Sequence, residues 1–200
     1  MALVPVLAIP EIRLYAAHHG SGLRQLAEAD EDAPAPYWAF AWGGGLALAR
    51  HILDHPQSVA GRRVLDLGAG SGLVAIAAAR AGARQVVAVE IDPYGVTAIG
   101  LNAAANGVAV LAIGGDPTCG PIPEVDIIVA GDVFYDPEVG ERMLAFLDRS
   151  LAAGTEVLVG DPGRAFLPRQ RLHQIAEYPV GDMGEAGKPG YVFVLEPAAA

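Results

Sequence analysis

The chain is predicted to adopt an α/β fold. It should form a seven-strand sheet, mostly parallel, with helices on both faces and an antiparallel hairpin at its C-terminal edge. Three observations predict it. Residues 63–80 read as a strand, a glycine turn and a helix: Arg63-Val64-Leu65-Asp66-Leu67, then Gly68, Gly70 and Gly72, then Leu73 to Arg80. After residue 60, short apolar runs alternate with helical stretches, the pattern of right-handed crossovers in a parallel sheet. The last apolar runs, Tyr178 to Val180 and Tyr191 to Glu196, flank a glycine-rich loop at 181–190, as a closing hairpin would.

The elements follow in order. Residues 1–40 contain prolines and read as less regular, part of a segment at 1–45 suited to cover a ligand crevice, and a helix from about Leu46 to Leu53 leads into the sheet. Val64 to Leu67 is the first sheet strand and Gln85 to Glu90 the second, apolar up to its acidic last residue. Pro93 to Ala105 is a helix. Its proline stands in the first turn, where a missing N–H costs little, and Asn106-Gly107 stops it. Val108 to Ile113 is the third strand. Val125 to Ala130 is the fourth, continuous and β-branched, hence central and covered on both faces. Pro137 to Ala152 is a helix with Val139, Met143, Phe146 and Leu147 on its inner side, and Asp136 suits its N-cap. Thr155 to Gly160 is the fifth strand, and Pro168 to Ala176 reads as a short helix before the hairpin.

Size and composition narrow the function. Two hundred residues suit one domain, read here as 1–200 with a lid or substrate segment at 1–45 and a core at 46–200. At 52% hydrophobic residues the chain can bury a full core. No apolar run approaches the ~20 residues that span a bilayer, and no basic secretion signal opens the chain, so no membrane role is expected. A single cysteine, Cys119, allows no internal disulfide and suits a reducing cytoplasm. The net charge of −10 argues against a nucleic-acid substrate and is compatible with a basic or lysine-bearing protein partner, or with simple solubility.

The glycine turn carries the chemistry. A dinucleotide fingerprint needs its third glycine at position 6, where this chain has Leu73, and no Gly-Lys-Ser/Thr follows to make a P-loop. Asp66-x-Gly68-x-Gly70-x-Gly72 instead resembles motif I of the seven-strand, Rossmann-like S-adenosylmethionine (SAM) methyltransferases. In that reading Gly68, Gly70 and Gly72 let backbone approach the cofactor. Asp66 pairs, directly or through water, with its cationic amino end. Glu90, 24 residues after Asp66, accepts both ribose hydroxyls. Asp116 either receives the adenine amino group or merely makes an Asp-Pro turn.

The acceptor should meet the sheet where the fourth strand ends, since ligands bind beyond the carboxyl ends of such strands. Asp132 and Tyr135 stand there, in Gly131-Asp132-Val133-Phe134-Tyr135. A carboxylate can orient an amine nitrogen by a charge-assisted hydrogen bond, and a ring face can accept a cation. The aromatic run Pro36-Tyr37-Trp38-Ala39-Phe40-Ala41-Trp42 is read with Trp42 over the nucleoside and Trp38 in the core. No metal is expected: His51 and His55 are four apart but lack the glutamate of an HExxH pair, and His18-His19 have no acidic or cysteine partners nearby. Cys119 has no base arranged to make it a nucleophile.

Three segments together, 36–45, 64–77 and 131–135, resemble the electron transfer flavoprotein β-subunit lysine methyltransferases. The likeness extends through Gly160-Asp161-Pro162-Gly163-Arg164. It implies a class I SAM-dependent protein N-lysine methyltransferase acting on the β subunit of electron transfer flavoprotein. SAM contacts then fall on Trp42, Gly68, Gly70 and Glu90, and the Asp-x-x-Tyr motif on Asp132 and Tyr135. The 181–190 stretch, glycine-rich and nearly neutral, departs from the more charged segment expected in that family. Rival readings are a methyltransferase of the same fold acting on a ribosomal protein or a small-molecule amine, a non-catalytic SAM-binding module, and an NAD-linked oxidoreductase.

Overall fold

A computed structural model describes residues 1–18, 20–23, 35–181 and 187–198. Two strands, β1 (Ala2–Val6) and β2 (Ile9–Ala16), pair as an antiparallel hairpin. The main sheet holds β3 (Arg63–Leu67), β4 (Gln85–Glu90), β5 (Leu111–Gly114), β6 (Ile127–Gly131), β7 (Glu156–Asp161), β8 (Leu172–Pro179) and β9 (Pro189–Leu195). Its seven strands run in the order β5-β4-β3-β6-β7-β9-β8. The first five pair in parallel, and β9 pairs antiparallel with both β7 and β8.

The order reverses between β3 and β6. From β3 the chain winds outward through β4 and β5, then returns to β6 and winds the other way. At such a switch point two neighbouring crossovers diverge and leave a crevice beyond the strand ends. Leu67 and Gly131 end those strands, so the sequence after each opens into the crevice.

Among the described residues, four helices cover the sheet: α1 (Gly43–Asp54), α2 (Leu73–Arg80), α3 (Pro93–Ala105) and α4 (Pro137–Ala152). Caps start two of them. Asp92 accepts the Tyr94 N–H at 2.7 Å, and Asp136 accepts those of Glu138 and Val139 at 2.9 and 3.0 Å, each ahead of a proline at the first helical position. Helix α2 is buried from Leu73 to Ala78, and its alanines let it pack closely on the sheet beside α1.

Helix α1 approaches the sheet through glycines. A Cβ on Gly44 would come within 2.3 Å of the Gly160 carbonyl oxygen, and one on Gly131 within 2.9 Å of Gly45 Cα. No side chain fits there, so the first turn of α1 rests directly on the ends of β6 and β7. That contact brings a helix N-terminus into the crevice.

Several elements differ from expectation. The helix expected at 168–176 is a single 3-10 turn, Arg169–Arg171, followed by β8. Pairing of Leu172 to Pro179 along β9 outweighs the local helical preference of a Leu-His-Gln-Ile-Ala-Glu run. β5 begins at Leu111 rather than Val108, and α1 begins at Gly43 rather than Leu46. The β8–β9 hairpin starts and ends close to the expected apolar runs, while 182–186 of its loop lie outside the described residues.

The first residues are not irregular. Ile9, Ile12 and Leu14 of the hairpin are buried in the main core cluster. Helix α3 receives the free edge of β2: Asn102 Oδ1 accepts the Tyr15 N–H at 2.8 Å and Asn106 Oδ1 the Arg13 N–H at 3.0 Å. Two asparagines four residues apart thus stand in for a neighbouring strand. Of the segment read as a lid, the hairpin packs on helices, and 35–42 reach the crevice.

Candidate active site

The crevice is a cleft of about 470 Å³ lined from β3, β4 and β6 ends, the β5–β6 connection, α4 and the 35–42 segment. Gly68 and Gly70 line it with φ of 67° and 54°, a region L side chains rarely adopt. Gly72, at φ 80°, caps α2 instead. A Cβ there would press on Ile99 at 3.2 Å, so this glycine serves the packing of α2 on α3 and does not line the cleft.

Asp66 also faces away from the cleft lining. Its Oδ2 accepts the Ala75 N–H at 2.8 Å, buried beneath the glycine turn. That contact supports the α2 N-terminus. Burial pushes its carboxyl up to about 7, Glu90 adds to the rise, and the Ala75 N–H opposes it. In an unfolded chain an aspartate ionises near ~3.9. The raised folded value makes the contribution to stability complete below that unfolded value, and it is lost as pH rises through about 7. Asp66→Asn keeps an acceptor for Ala75 and removes the buried charge. It should raise the thermal midpoint at about pH 8, with the gain shrinking toward zero near about pH 4. A midpoint lowered at the higher pH would contradict this reading.

At the β4 end, Glu90 Oε2 accepts the Gly70 N–H at 2.8 Å and Oε1 the Asp92 N–H at 3.0 Å. One carboxylate thereby ties the glycine turn to the start of α3, with a lone pair left on each oxygen. The exposed side chain of Ile91 follows on the cleft wall. Asp116 lies across the cleft. Its Oδ1 accepts the Thr118 N–H at 2.9 Å, and its Oδ2 pairs with Arg142 at 3.2 Å. It makes the Asp-Pro turn and borders the cleft at once. The Thr118 hydroxyl and Arg142 hold its carboxyl below the ordinary range.

Asp132 stands at the β6 end, 9% exposed, with its backbone at φ 58°. A non-glycine residue in this left-handed region is uncommon and clusters at functional sites, and aspartate tolerates it better than most. Its Oδ2 accepts the Gly45 N–H of α1 at 2.8 Å. Its Oδ1 accepts from Arg164 Nε at 3.0 Å and Nη2 at 2.5 Å. Burial still dominates and pushes the carboxyl up to about 6, against the pull of Arg164 and the Gly45 N–H, while Asp161 adds to the rise.

Aromatic rings surround this end. Tyr37 lies 5.7 Å from Trp42 and 5.5 Å from Tyr135 between ring centroids, and the Trp42 Nε1–H is donated to the Tyr37 carbonyl at 2.9 Å. Arg164 places its guanidinium over Trp42, 5.6 Å from the ring centroid. Trp38 stacks on Tyr94 at 6.4 Å and also lines the cleft, so it joins core and site.

The structure thus brings Trp42, Gly68, Gly70, Glu90, Asp116, Asp132 and Tyr135 onto one cleft, and leaves Asp66 and Gly72 beneath it. Sequence reasoning missed Arg164, Tyr37 and the glycine-backed N-terminus of α1. A signal for Arg164 existed: Asp161-Pro162-Gly163-Arg164 follows an apolar strand. There Asp161 Oδ1 accepts the Gly163 and Arg164 N–H groups, each at 2.6 Å, in a tight turn. His51 lies against His55 at 4.6 Å and the Tyr178 hydroxyl at 3.2 Å, apart from the cleft lining. His19 lies outside the described residues.

Comparison with known proteins adds to this geometry. A family model described as ribosomal protein L11 methyltransferase matches residues 47–132. An electron transfer flavoprotein beta subunit lysine methyltransferase of Danio rerio is 43% identical over 155 residues, 74% of this chain and 60% of that protein. A Caenorhabditis elegans homolog of that enzyme is 31% identical over 205 residues, 92% of this chain and 82% of that protein. The chain spans less than two-thirds of the length of the vertebrate relatives it matches, 60% of the Danio rerio protein and 57% of the Homo sapiens one. Among solved structures, the Thermus thermophilus 16S rRNA N2 G1207 methyltransferase in complex with AdoMet and guanosine superposes with a TM-score of 0.58. At 24% identity, over 78% of this chain and 44% of that one, it shows a shared fold.

Proposed function

Because the chain belongs to the electron transfer flavoprotein β-subunit lysine methyltransferase family, we propose that it transfers a methyl group from SAM to a lysine of a protein, the β subunit of electron transfer flavoprotein. One observation carries the reading most. A buried carboxylate, Asp132, is held at the carboxyl end of a central strand, at the switch point, among Trp42, Tyr37 and Tyr135.

The cleft suits SAM in several respects. Glycines 68 and 70 expose backbone without side chains, and each Glu90 oxygen keeps an acceptor position for a ribose hydroxyl. Ile91, Val89 and Pro117 give apolar walls for a flat base, with Asp116 beside them. Trp38 Nε1 is buried without an acceptor among the described residues, on a side chain that borders the cleft. When bound, SAM supplies an electrophilic methyl carbon, attacked by a nitrogen lone pair while the carbon–sulfur bonding electrons stay with sulfur.

The chain's own residues align and select. Asp132 accepts a hydrogen bond from the lysine nitrogen and so fixes the direction of its lone pair. Tyr135 and Tyr37 flank the aliphatic stem, and Trp42, the expected SAM contact, borders both substrates at this end of the cleft. Free lysine, with a pKa near ~10.4, is neutral in only about one part in ~2,500 at pH 7. The site must therefore favour the neutral amine, and alignment must supply much of the rate.

Ribosomal protein L11 is the second reading, favoured by the family model over residues 47–132. It asks for the same amine chemistry on a different protein. Both proteins should be offered together with methyl-labelled SAM. Label on the flavoprotein β subunit is the expected result; label on L11 alone would move the substrate, and label on neither would remove both. Calorimetric titration should show heat of binding with SAM and none with NAD. The reverse would point to an oxidoreductase.

A further inference from the structure

Asp132 meets fixed donors on both oxygens. The Gly45 N–H serves Oδ2, and two nitrogens of Arg164 serve Oδ1. Arg164 is fixed in its turn. Its backbone N–H is donated to Asp161 Oδ1 at 2.6 Å, its guanidinium lies over Trp42, and its side chain is 20% exposed. A planar fork that stacks on an aromatic face is well suited to such a position, and a lysine there would lose both features.

This arrangement bears on how an amine can react here, and the argument rests on the lysine-methylation reading above. A lone carboxylate binds lysine as ammonium and raises its pKa, the wrong direction for a nucleophile. A carboxylate already paired with a guanidinium offers the incoming nitrogen no net charge. An ammonium would also meet the positive charge of Arg164 at close range, which disfavours the charged form. A neutral amine meets no such repulsion and can still donate an N–H to a remaining lone pair on Asp132.

We propose that Arg164 is a positioning residue for methyl transfer: by holding Asp132 Oδ1 and packing on Trp42, it gives the acceptor carboxylate a resident cation, so that the site takes the substrate lysine as its neutral amine. The lysine proton leaves to water before the nitrogen is bound, and the positive charge appears on nitrogen only as the methyl arrives. Among the described residues, the charged and titratable groups around Asp132 are Arg164 and Asp161, from β7 and the turn after it, and Tyr135 on its own loop. The dipole of α1 adds its positive end. Arg164 and α1 favour the carboxylate, whereas Asp161 and burial oppose it.

The test compares wild type with Arg164→Gln and Arg164→Lys. Each is checked for folding by circular dichroism and labelled with carbon-13 at the aspartate carboxyls. Without any ligand, Asp132 should titrate near pH 6 in wild type. It should titrate about one pH unit or more higher in Arg164→Gln, and closer to wild type in Arg164→Lys. With SAM saturating, wild-type KM for the acceptor protein should fall as pH rises, following the neutral-amine fraction. In Arg164→Gln that dependence should flatten and kcat should fall on the order of tenfold or more, with partial recovery in Arg164→Lys. An Asp132 titration unmoved in folded Arg164→Gln, or a wild-type KM independent of pH, would overturn the proposal. If wild type methylates no lysine-bearing protein, the functional reading falls, while the ligand-free titration still decides whether Arg164 sets the state of Asp132.

Discussion

Asp132→Asn should keep SAM affinity within a few-fold and lose methyl transfer by a factor on the order of 10²–10³. Asparagine keeps the size and tolerates the left-handed backbone at φ 58°. Its amide oxygen can still accept the Gly45 N–H. What it loses is the charge that pairs with Arg164 and orients a donor nitrogen. Interactions made mainly in the transition state appear in turnover rather than in cofactor binding. Burial pushes the same carboxyl up to about 6, so wild-type activity should also decline as pH falls through that value and Asp132 takes up a proton. Wild-type turnover in a folded Asp132→Asn protein would remove this carboxylate from the reaction.

Glu90→Ala should weaken SAM binding by about 2–3 kcal/mol, roughly 30- to 150-fold. Two effects combine. The ribose loses its carboxylate partner, and the Gly70 and Asp92 N–H groups lose the acceptor that ties the glycine turn to α3. Glu90→Gln should be milder and recover only part of the affinity: its one amide oxygen can accept from either Gly70 or Asp92, while its NH2 turns a donor toward the other N–H and imitates only one side of a bidentate contact to two hydroxyls. Calorimetry with SAM reads both variants. A loss below about 0.5 kcal/mol in Glu90→Ala, the scatter of ordinary surface changes, would place Glu90 outside the cofactor site.

What the sequence made legible was written locally. Strand β4 and helices α3 and α4 fall at their expected bounds, because a β-branched run, a proline after an aspartate cap and a glycine stop each act within a few residues. The cleft residues Gly68, Gly70, Glu90 and Asp132 were legible for a related reason: in a sheet of this kind, whatever follows a strand's carboxyl end faces the ligand. What escaped depends on distant partners. β8 forms because β9 offers it an edge, and the N-terminal hairpin because Asn102 and Asn106 close its free edge. Asp66 sits within the motif that led to the cleft, yet burial turns its carboxylate to the Ala75 N–H. Arg164 is separated from Asp132 by 32 residues, and only the parallel pairing of β6 with β7 brings their ends together.

Lysine methylation at the Asp132 end of the cleft has a direct readout. That readout is peptide mass spectrometry of purified electron transfer flavoprotein β subunit after incubation with SAM and the wild-type or Asp132→Asn protein. Methyl groups on lysine side chains are expected with wild type and almost none with Asp132→Asn. Methylation of some residue other than lysine, or equal lysine methylation by both proteins, would contradict this.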